Sequence, residues 1–147
     1  MQTFFPYPDL KQSALSLDKR RAFKQVIEAR QILDALINPL SKSYRFRNHP
    51  AVKMWKTYEE FLKQYYNVFL DVCLNVHKIK TKYEYLTTGN IILPWWFNND
   101  NFHNSHKARL LEKNYEFYSK SIGIEYLNFN DSKYWWPDND TKTFKII

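Results

Sequence analysis

The stretch from Asn48 to His77 constrains this chain most. Pro50 follows Asn48-His49 at a favoured first helical position. Val52, Trp55, Tyr58, Leu62, Tyr65, Phe69, Val72 and Val76 then recur with a helical period. A stripe this rich in aromatic and branched side chains has to be buried against other elements. It predicts a long helix from Pro50 to about His77.

Two further blocks keep a helical period. The first begins weakly at Pro8-Asp9, where Asp9 can cap a short turn. A long helix then runs from about Ser16 to Ile37 on a stripe of Ala22, Phe23, Val26, Leu33, Leu36 and Ile37, and Asn38-Pro39 ends it. Arg30 lies near that apolar side, where it can snorkel or pair with Asp34. The last block covers Ser105 to about Ile122. At about 100° per residue, His106, Arg109, Lys113 and Lys120 fall within roughly 60° of arc. Leu111, Tyr115, Tyr118 and Ile122 gather opposite. One face is basic and the other is suited to burial. Such a face either grips a phosphate backbone or is merely solvated.

Residues 81–102 read as a loop, broken at Thr87-Thr88-Gly89 and Pro94, and its apolar segment from Ile91 to Phe97 must pack on something. The tail from Glu125 to Ile147 carries turn chemistry at Asn130-Asp131 and Asp138-Asn139, beside Tyr134-Trp135-Trp136-Pro137. It reads as irregular structure laid over the core. With 2 glycines in 147 residues, a turn-rich all-β fold is disfavoured. The expected fold is all-α: one compact domain, residues 1–147, of three main helices with an irregular C-terminal tail.

An apolar share of 44% argues against disorder. The balance of 22 Lys+Arg against 15 Asp+Glu, a net +7, favours polyanion partners such as DNA, RNA or an acidic membrane surface. Cys73 is the single cysteine, so no internal disulfide forms, and the chain suits a reducing, cytoplasmic compartment. No run approaches the roughly 20 apolar residues of a membrane span. Met1 to Pro8 lacks the basic start and apolar core of a secretory leader.

His103 and His106 could share a helix face, but no HExxH, CxxC or paired carboxylate motif joins them to complete a metal site. There is no phosphate-cradling Gly loop and no nucleophile elbow. Glu28 follows Arg21 and Lys24 on one helix face, with Gln31 next to it. It is either the surface partner of Lys24 or a general base among cations that hold a phosphodiester. Trp95-Trp96 and Trp135-Trp136 can serve as core packing or as surfaces for bases.

Ala108-Arg109-Leu110, Glu112-Lys113, the aromatic cluster Tyr115-Phe117-Tyr118, and Lys120 together resemble the C-terminal helix of the phage pyrimidine-dimer DNA glycosylase (endonuclease V) family. Asn48-His49-Pro50, followed by Tyr58, Phe61 and Leu62, is similar to that family's Gly-His segment and the helix after it. Glu28 stands about where the family keeps its catalytic glutamate. Thr3-Phe4-Phe5-Pro6-Tyr7-Pro8-Asp9 and Arg45-Phe46-Arg47-Asn48-His49-Pro50 resemble poorly characterised bacterial and viral relatives more closely. The resemblance spans residues 1–123 and leaves 124–147 as a C-terminal extension.

The resemblance implies a fold with the N-terminus threaded toward the centre and a glycosylase with abasic-site lyase activity on duplex DNA, using no metal or cofactor. The nucleophile would be the N-terminal α-amine, whose reference pKa of about 7.7–8.0 leaves a useful neutral fraction at neutral pH. It implies Met1 as nucleophile and Glu28 as acid/base. Arg109 and Lys113 would hold phosphates, helped by Arg21 and Lys24. His49 would position sugar or phosphate, or simply cap its helix. The chain is expected to act as a monomer.

Several positions depart from the family pattern. The residue after the initiator Met is small in the family and is Gln2 here, so the amine is that of Met1, or of Gln2 after unusual processing. The family's arginine before its glutamate is Ile27, and the arginine one turn on is Gln31. Arg20, Arg21 and Arg30 are the available substitutes. Two other functions are compatible with the residues: a nucleic-acid-binding module that has lost the chemistry, and a metal-dependent nuclease built on His103 and His106.

Overall fold

The computed structural model describes residues 1–147. It contains α1 (Leu10–Ser16), α2 (Lys19–Ile37), a 3₁₀ turn (Lys42–Phe46), α3 (Pro50–Lys53), α4 (Glu59–Asn75), α5 (Asp100–Lys113), α6 (Tyr115–Ser121), a second 3₁₀ turn (Phe129–Ser132), and an antiparallel hairpin of β1 (Trp135–Asp138) and β2 (Thr143–Ile146). The fold is mostly helical but not all-α. No helix is long and apolar enough to cross a membrane.

Each predicted helical block is present, and each is divided. Asp9 caps a helix, α1, and not just a turn; its carboxylate accepts the Gln12 N–H at 2.7 Å. Leu17 is extended, and Asp18 starts α2 by accepting the Arg21 N–H at 3.4 Å. The predicted helix from Pro50 to His77 is interrupted by a turn over Met54–Thr57, with Thr57 at φ 73°. The turn keeps Met54, Trp55 and Tyr58 all buried, and Trp55 Nε1 donates to Thr3 Oγ1 at 3.1 Å. A straight helix would fix the directions of these side chains by its period alone.

The last block bends at Asn114, which leaves helical geometry (φ −153°, ψ 79°) and caps α6 by accepting the Phe117 N–H at 3.2 Å. Tyr118 and Leu111 are buried as expected, but Tyr115 faces solvent beyond the bend. Arg30 pairs with Asp34 at 3.7 Å. Ile37, expected in the buried stripe of α2, is exposed at the helix end. The buried face of α2 extends instead over Gln25, Glu28, Ala29, Ile32 and Ala35. In the long connection after α4, Pro94 and Trp96 enter the core while Ile91, Ile92 and Leu93 stay exposed.

The centre of the core is aromatic and is built around an extended N-terminal segment. Thr3, Phe4 and Phe5 are buried, and the Phe5 ring contacts Phe61, Tyr65, Trp96, Phe97, Phe102 and His103. A lone strand in a core must find hydrogen-bond partners for its peptide groups. Side chains from three helices supply them here. The Phe4 N–H donates to Gln25 Oε1 at 2.8 Å, and the Phe5 N–H donates to His106 Nδ1 at 2.8 Å. The Tyr65 hydroxyl lies 2.7 Å from the Phe4 carbonyl and 2.8 Å from Gln25 Oε1, so its one proton serves one of the two. His103 Nδ1 lies 2.6 Å from the Phe5 carbonyl. This ladder holds the chain's first residues against α2.

Candidate active site

The threaded strand ends at a cleft of about 190 Å³ lined by Met1, Gln2, Phe4, Arg21, Lys24, Gln25, Glu28, Lys113 and Tyr134. Five of the seven residues singled out from the sequence meet in its wall: Met1, Glu28, Arg21, Lys24 and Lys113. The other two border it. Arg109 stacks its guanidinium 4.8 Å over the ring of Tyr134. His49 is close enough to the N-terminal amine for that charge to lower its pKa, after the larger effect of burial.

Glu28 is buried, with 9% of its surface exposed, because the N-terminal segment lies over it. Its Oε2 accepts the Gln2 N–H at 3.2 Å and lies 3.5 Å from Gln25 Nε2, while Lys24 Nζ stands 3.9 Å from Oε1. Lys24 is largely exposed, so an ion pair this long contributes little to stability. The carboxylate faces the start of the chain. Its charge also helps raise the pKa of the buried Tyr65 hydroxyl, where burial is the larger cause.

The cations crowd together. Burial lowers the pKa of Lys113, and Arg109, Arg21 and Lys24 lower it further, with Glu112 opposing. Arg21 salts to Asp18 at 3.3 Å and Arg109 reaches Glu112 at 3.8 Å, while Lys113 has no carboxylate partner. Like charges held this close repel one another, and an arriving anion relieves the repulsion. Of the three arginines available as substitutes for the family's pair, only Arg21 lines the cleft; Arg20 is exposed elsewhere on α2 and Arg30 belongs to the Asp34 pair.

The expected basic stripe needs correction. His106 shares the helical arc of Arg109 and Lys113, yet it is buried because the Phe4-Phe5 strand crosses α5 over it. It is neutral: burial moves its pKa well below the ordinary value and neighbouring His103 adds to the effect. Its Nδ1 is an acceptor, so the proton sits on Nε2. His103 contacts the carbonyls of Phe5 and Phe97, at 2.6 Å each. Both histidines therefore hold the N-terminal strand, and no three His, Cys, Asp or Glu side chains converge as a metal cluster. Lys120 lies beyond the bend, on α6. The basic element at the cleft is thus Arg109 and Lys113, joined by Arg21 and Lys24 from α2.

His49 does cap its helix, accepting the Ala51 N–H on Nδ1 at 3.0 Å. That bond places its remaining proton on Nε2, so one ring both caps and offers a donor near the amine. Of the tryptophans, Trp96 is core, and its Nε1 donates to the Met54 carbonyl at 3.2 Å. Trp136 meets the His49 ring edge-on at 6.3 Å.

Sequence reasoning missed Gln25, Tyr65 and Tyr134. Gln25 had a usable signal, being one polar residue on the buried side of an amphipathic helix three positions before Glu28. Tyr134 had none, since it reaches the cleft only because the C-terminal hairpin folds back onto α5, where the Trp135 N–H donates to Ser105 Oγ at 3.3 Å.

Residues 1–83 match the family described as pyrimidine dimer DNA glycosylase. Neither the curated proteins nor the solved structures contain a match to the chain.

Proposed function

This chain belongs to the pyrimidine dimer DNA glycosylase family, and we propose that it removes a damaged or modified base from duplex DNA and then cleaves the abasic strand through an N-terminal imine. One observation carries the reading: the chain's first residues and a buried carboxylate share a small cleft ringed by crowded cations.

The α-amine attacks C1′ of the damaged nucleotide. A C1′–N bond forms as the glycosidic bond breaks, and the base leaves with a proton. The sugar ring then opens at C1′–O4′, with Glu28 able to hand a proton to O4′, and an iminium joins protein to sugar. As a carboxylate, Glu28 next takes a proton from C2′. The C3′–O3′ bond breaks, the 3′ phosphate departs, and water releases the protein. Acid and base roles in one carboxylate require it to be held beside the reacting carbon. The Gln2 and Gln25 contacts hold Glu28 in this way. Arg21, Lys24, Arg109 and Lys113 grip the phosphates that flank the open sugar. His49 donates from Nε2 to sugar or phosphate.

The nucleophile is the amine of Met1. The Gln2 nitrogen already lies 3.2 Å from Glu28 Oε2, so a chain processed to Gln2 would present its amine directly to the carboxylate. Borohydride reduction on abasic duplex, followed by mass mapping of the trapped peptide, tests the mechanism and identifies the residue. A non-catalytic binding module predicts duplex affinity without any trapped species.

A further inference from the structure

Between Asp34 and Glu59 the chain has no carboxylate, yet it carries Lys42, Arg45, Arg47, Lys53 and Lys56. All five are exposed and none forms an ion pair. Two are held in place without a carboxylate. The Arg45 guanidinium lies 4.7 Å over the Phe46 ring. That of Arg47 lies 4.5 Å over Tyr44 and donates to the Tyr44 carbonyl at 3.1 Å. Planar cations resting on aromatic faces lose less freedom when they bind an anion than free side chains do.

The strip continues into a second cleft, of about 230 Å³, where Lys53 and Lys56 face Lys145 of β2. Asn139, in the hairpin turn, fixes that spacing. Its Nδ2 lies 3.0, 3.2 and 3.3 Å from the carbonyls of Lys53, Met54 and Lys56, so these oxygens are engaged by the hairpin. Asp138 and Asp140 stand at the hairpin end of this cleft, and Asp138 Oδ1 is taken up by the N–H groups of Asp140 and Thr141, at 2.9 and 3.4 Å. The second cleft meets the active site through Trp136, whose ring packs edge-on with His49 at 6.3 Å and with Tyr134 at 5.3 Å.

We propose that Arg45, Arg47, Lys53, Lys56 and Lys145 form a second phosphate track, which holds the DNA backbone where it runs on from the active cleft. The inference rests on the DNA glycosylase reading above. Three features favour a polyanion strand over an isolated anion. The cations are spread along a strip and do not converge, they lack carboxylate partners, and the strip begins where the first cleft ends. The track supplies affinity that is independent of the lesion, so the enzyme stays on duplex while it searches.

The test compares wild type with the variant R45Q/R47Q/K53Q/K56Q, which keeps polar side chains at four exposed positions; circular dichroism checks that it melts as the parent does. Dissociation constants are measured over a range of salt on two duplexes with a central reduced abasic site. One is long, and the other is too short to leave the active cleft. Single-turnover cleavage of unreduced abasic duplex is measured at saturating enzyme. At about 0.9 of slope per phosphate, the variant's log affinity against log salt on long duplex should flatten by about 2–4 units. On short duplex the slope should match wild type, and the saturating cleavage rate should not change. An unchanged slope on long duplex overturns the track while leaving the glycosylase reading intact, and so does an equal loss on both duplexes. A wild-type protein that binds neither duplex overturns the reading and the track together.

Discussion

The backbone N–H of Gln2 donates to Glu28 Oε2 across 3.2 Å, joining the first peptide of the chain to a buried carboxylate 26 residues away. A surface ion pair with Lys24 would not require that burial. The contact places the start of the chain beside a carboxylate, as the proposed imine mechanism requires. Borohydride should therefore trap a covalent adduct on abasic duplex, mapped to the N-terminal residue, and acetylation of the α-amine should abolish it. An adduct on a lysine side chain would refute the assignment.

Glu28→Gln keeps an acceptor for the Gln2 N–H and removes the ability to exchange a proton. Strand cleavage under single-turnover conditions should fall by about 10²–10⁴, the usual contribution of a positioned acid/base. Duplex affinity should stay within a few fold. Parent-like cleavage would reduce Glu28 to an ion-pair partner.

Arg109 and Lys113 lie one turn apart on α5 but differ in setting. Lys113 has no carboxylate partner, whereas Arg109 packs on Tyr134 and its Nε is buried without a hydrogen-bond partner. Replacing both with Ala should flatten the salt dependence of duplex binding by about 1–2 units. Lys113→Ala alone should flatten it by about 1 unit without lowering the melting temperature. Arg109→Ala should also loosen the C-terminal hairpin, seen as faster amide exchange at Tyr134. An unchanged slope in the double variant would leave this helix face merely solvated.

His106 is neutral in the fold, with its pKa well below its ordinary value of about 6.5. The unfolded chain therefore binds protons that the folded chain refuses, and stability rises with pH in that range. The full contribution is present above the unfolded value and is lost as pH falls below it. His103, lowered by burial against two opposing carbonyl contacts, acts in the same direction. Melting temperature should drop as pH is taken from 7 to 5. His106→Asn, which offers an amide oxygen to the Phe5 N–H, should show a shallower acid slope. A slope equal to wild type would mean that other groups cause the loss.

Gln25 both holds the N-terminal strand and contacts Glu28 through Nε2, whereas the Tyr65 hydroxyl reaches the strand and Gln25 alone. Gln25→Ala leaves the Phe4 N–H unpaired in the core, at a cost of about 1–3 kcal/mol. Gln25→Glu keeps an acceptor for that N–H and sets a second carboxylate beside Glu28. If Gln25 positions the amine, Gln25→Ala should slow imine trapping at saturating DNA without changing the salt dependence of binding. A purely structural role would lower the melting temperature and leave the trapping rate of the folded fraction unchanged.

Local order along the chain was legible in the residues themselves. The periods around Ala22 to Leu33 and Leu62 to Val72, the cap at Asp9, the helix start at Pro50, and the stop at Asn38 act over a few neighbouring residues, so a linear reading finds them. The placing of Glu28 on one helix face with Arg21 and Lys24, and of Arg109 with Lys113, follows from helical spacing alone. Tertiary structure decided what crosses over what. The bends at Met54–Thr57 and Asn114 exist because Trp55 must reach Thr3 and Tyr118 must stay buried while Tyr115 turns out. His106 left the basic face because a strand 101 residues away in sequence needed an acceptor for the Phe5 N–H. The hairpin of β1 and β2, and with it Tyr134 in the cleft, depends on packing against α5 that no local pattern encodes. Periodicity reports which side of a helix is apolar, but whether a polar side chain on that helix faces water or a buried peptide depends on what the rest of the chain lays across it.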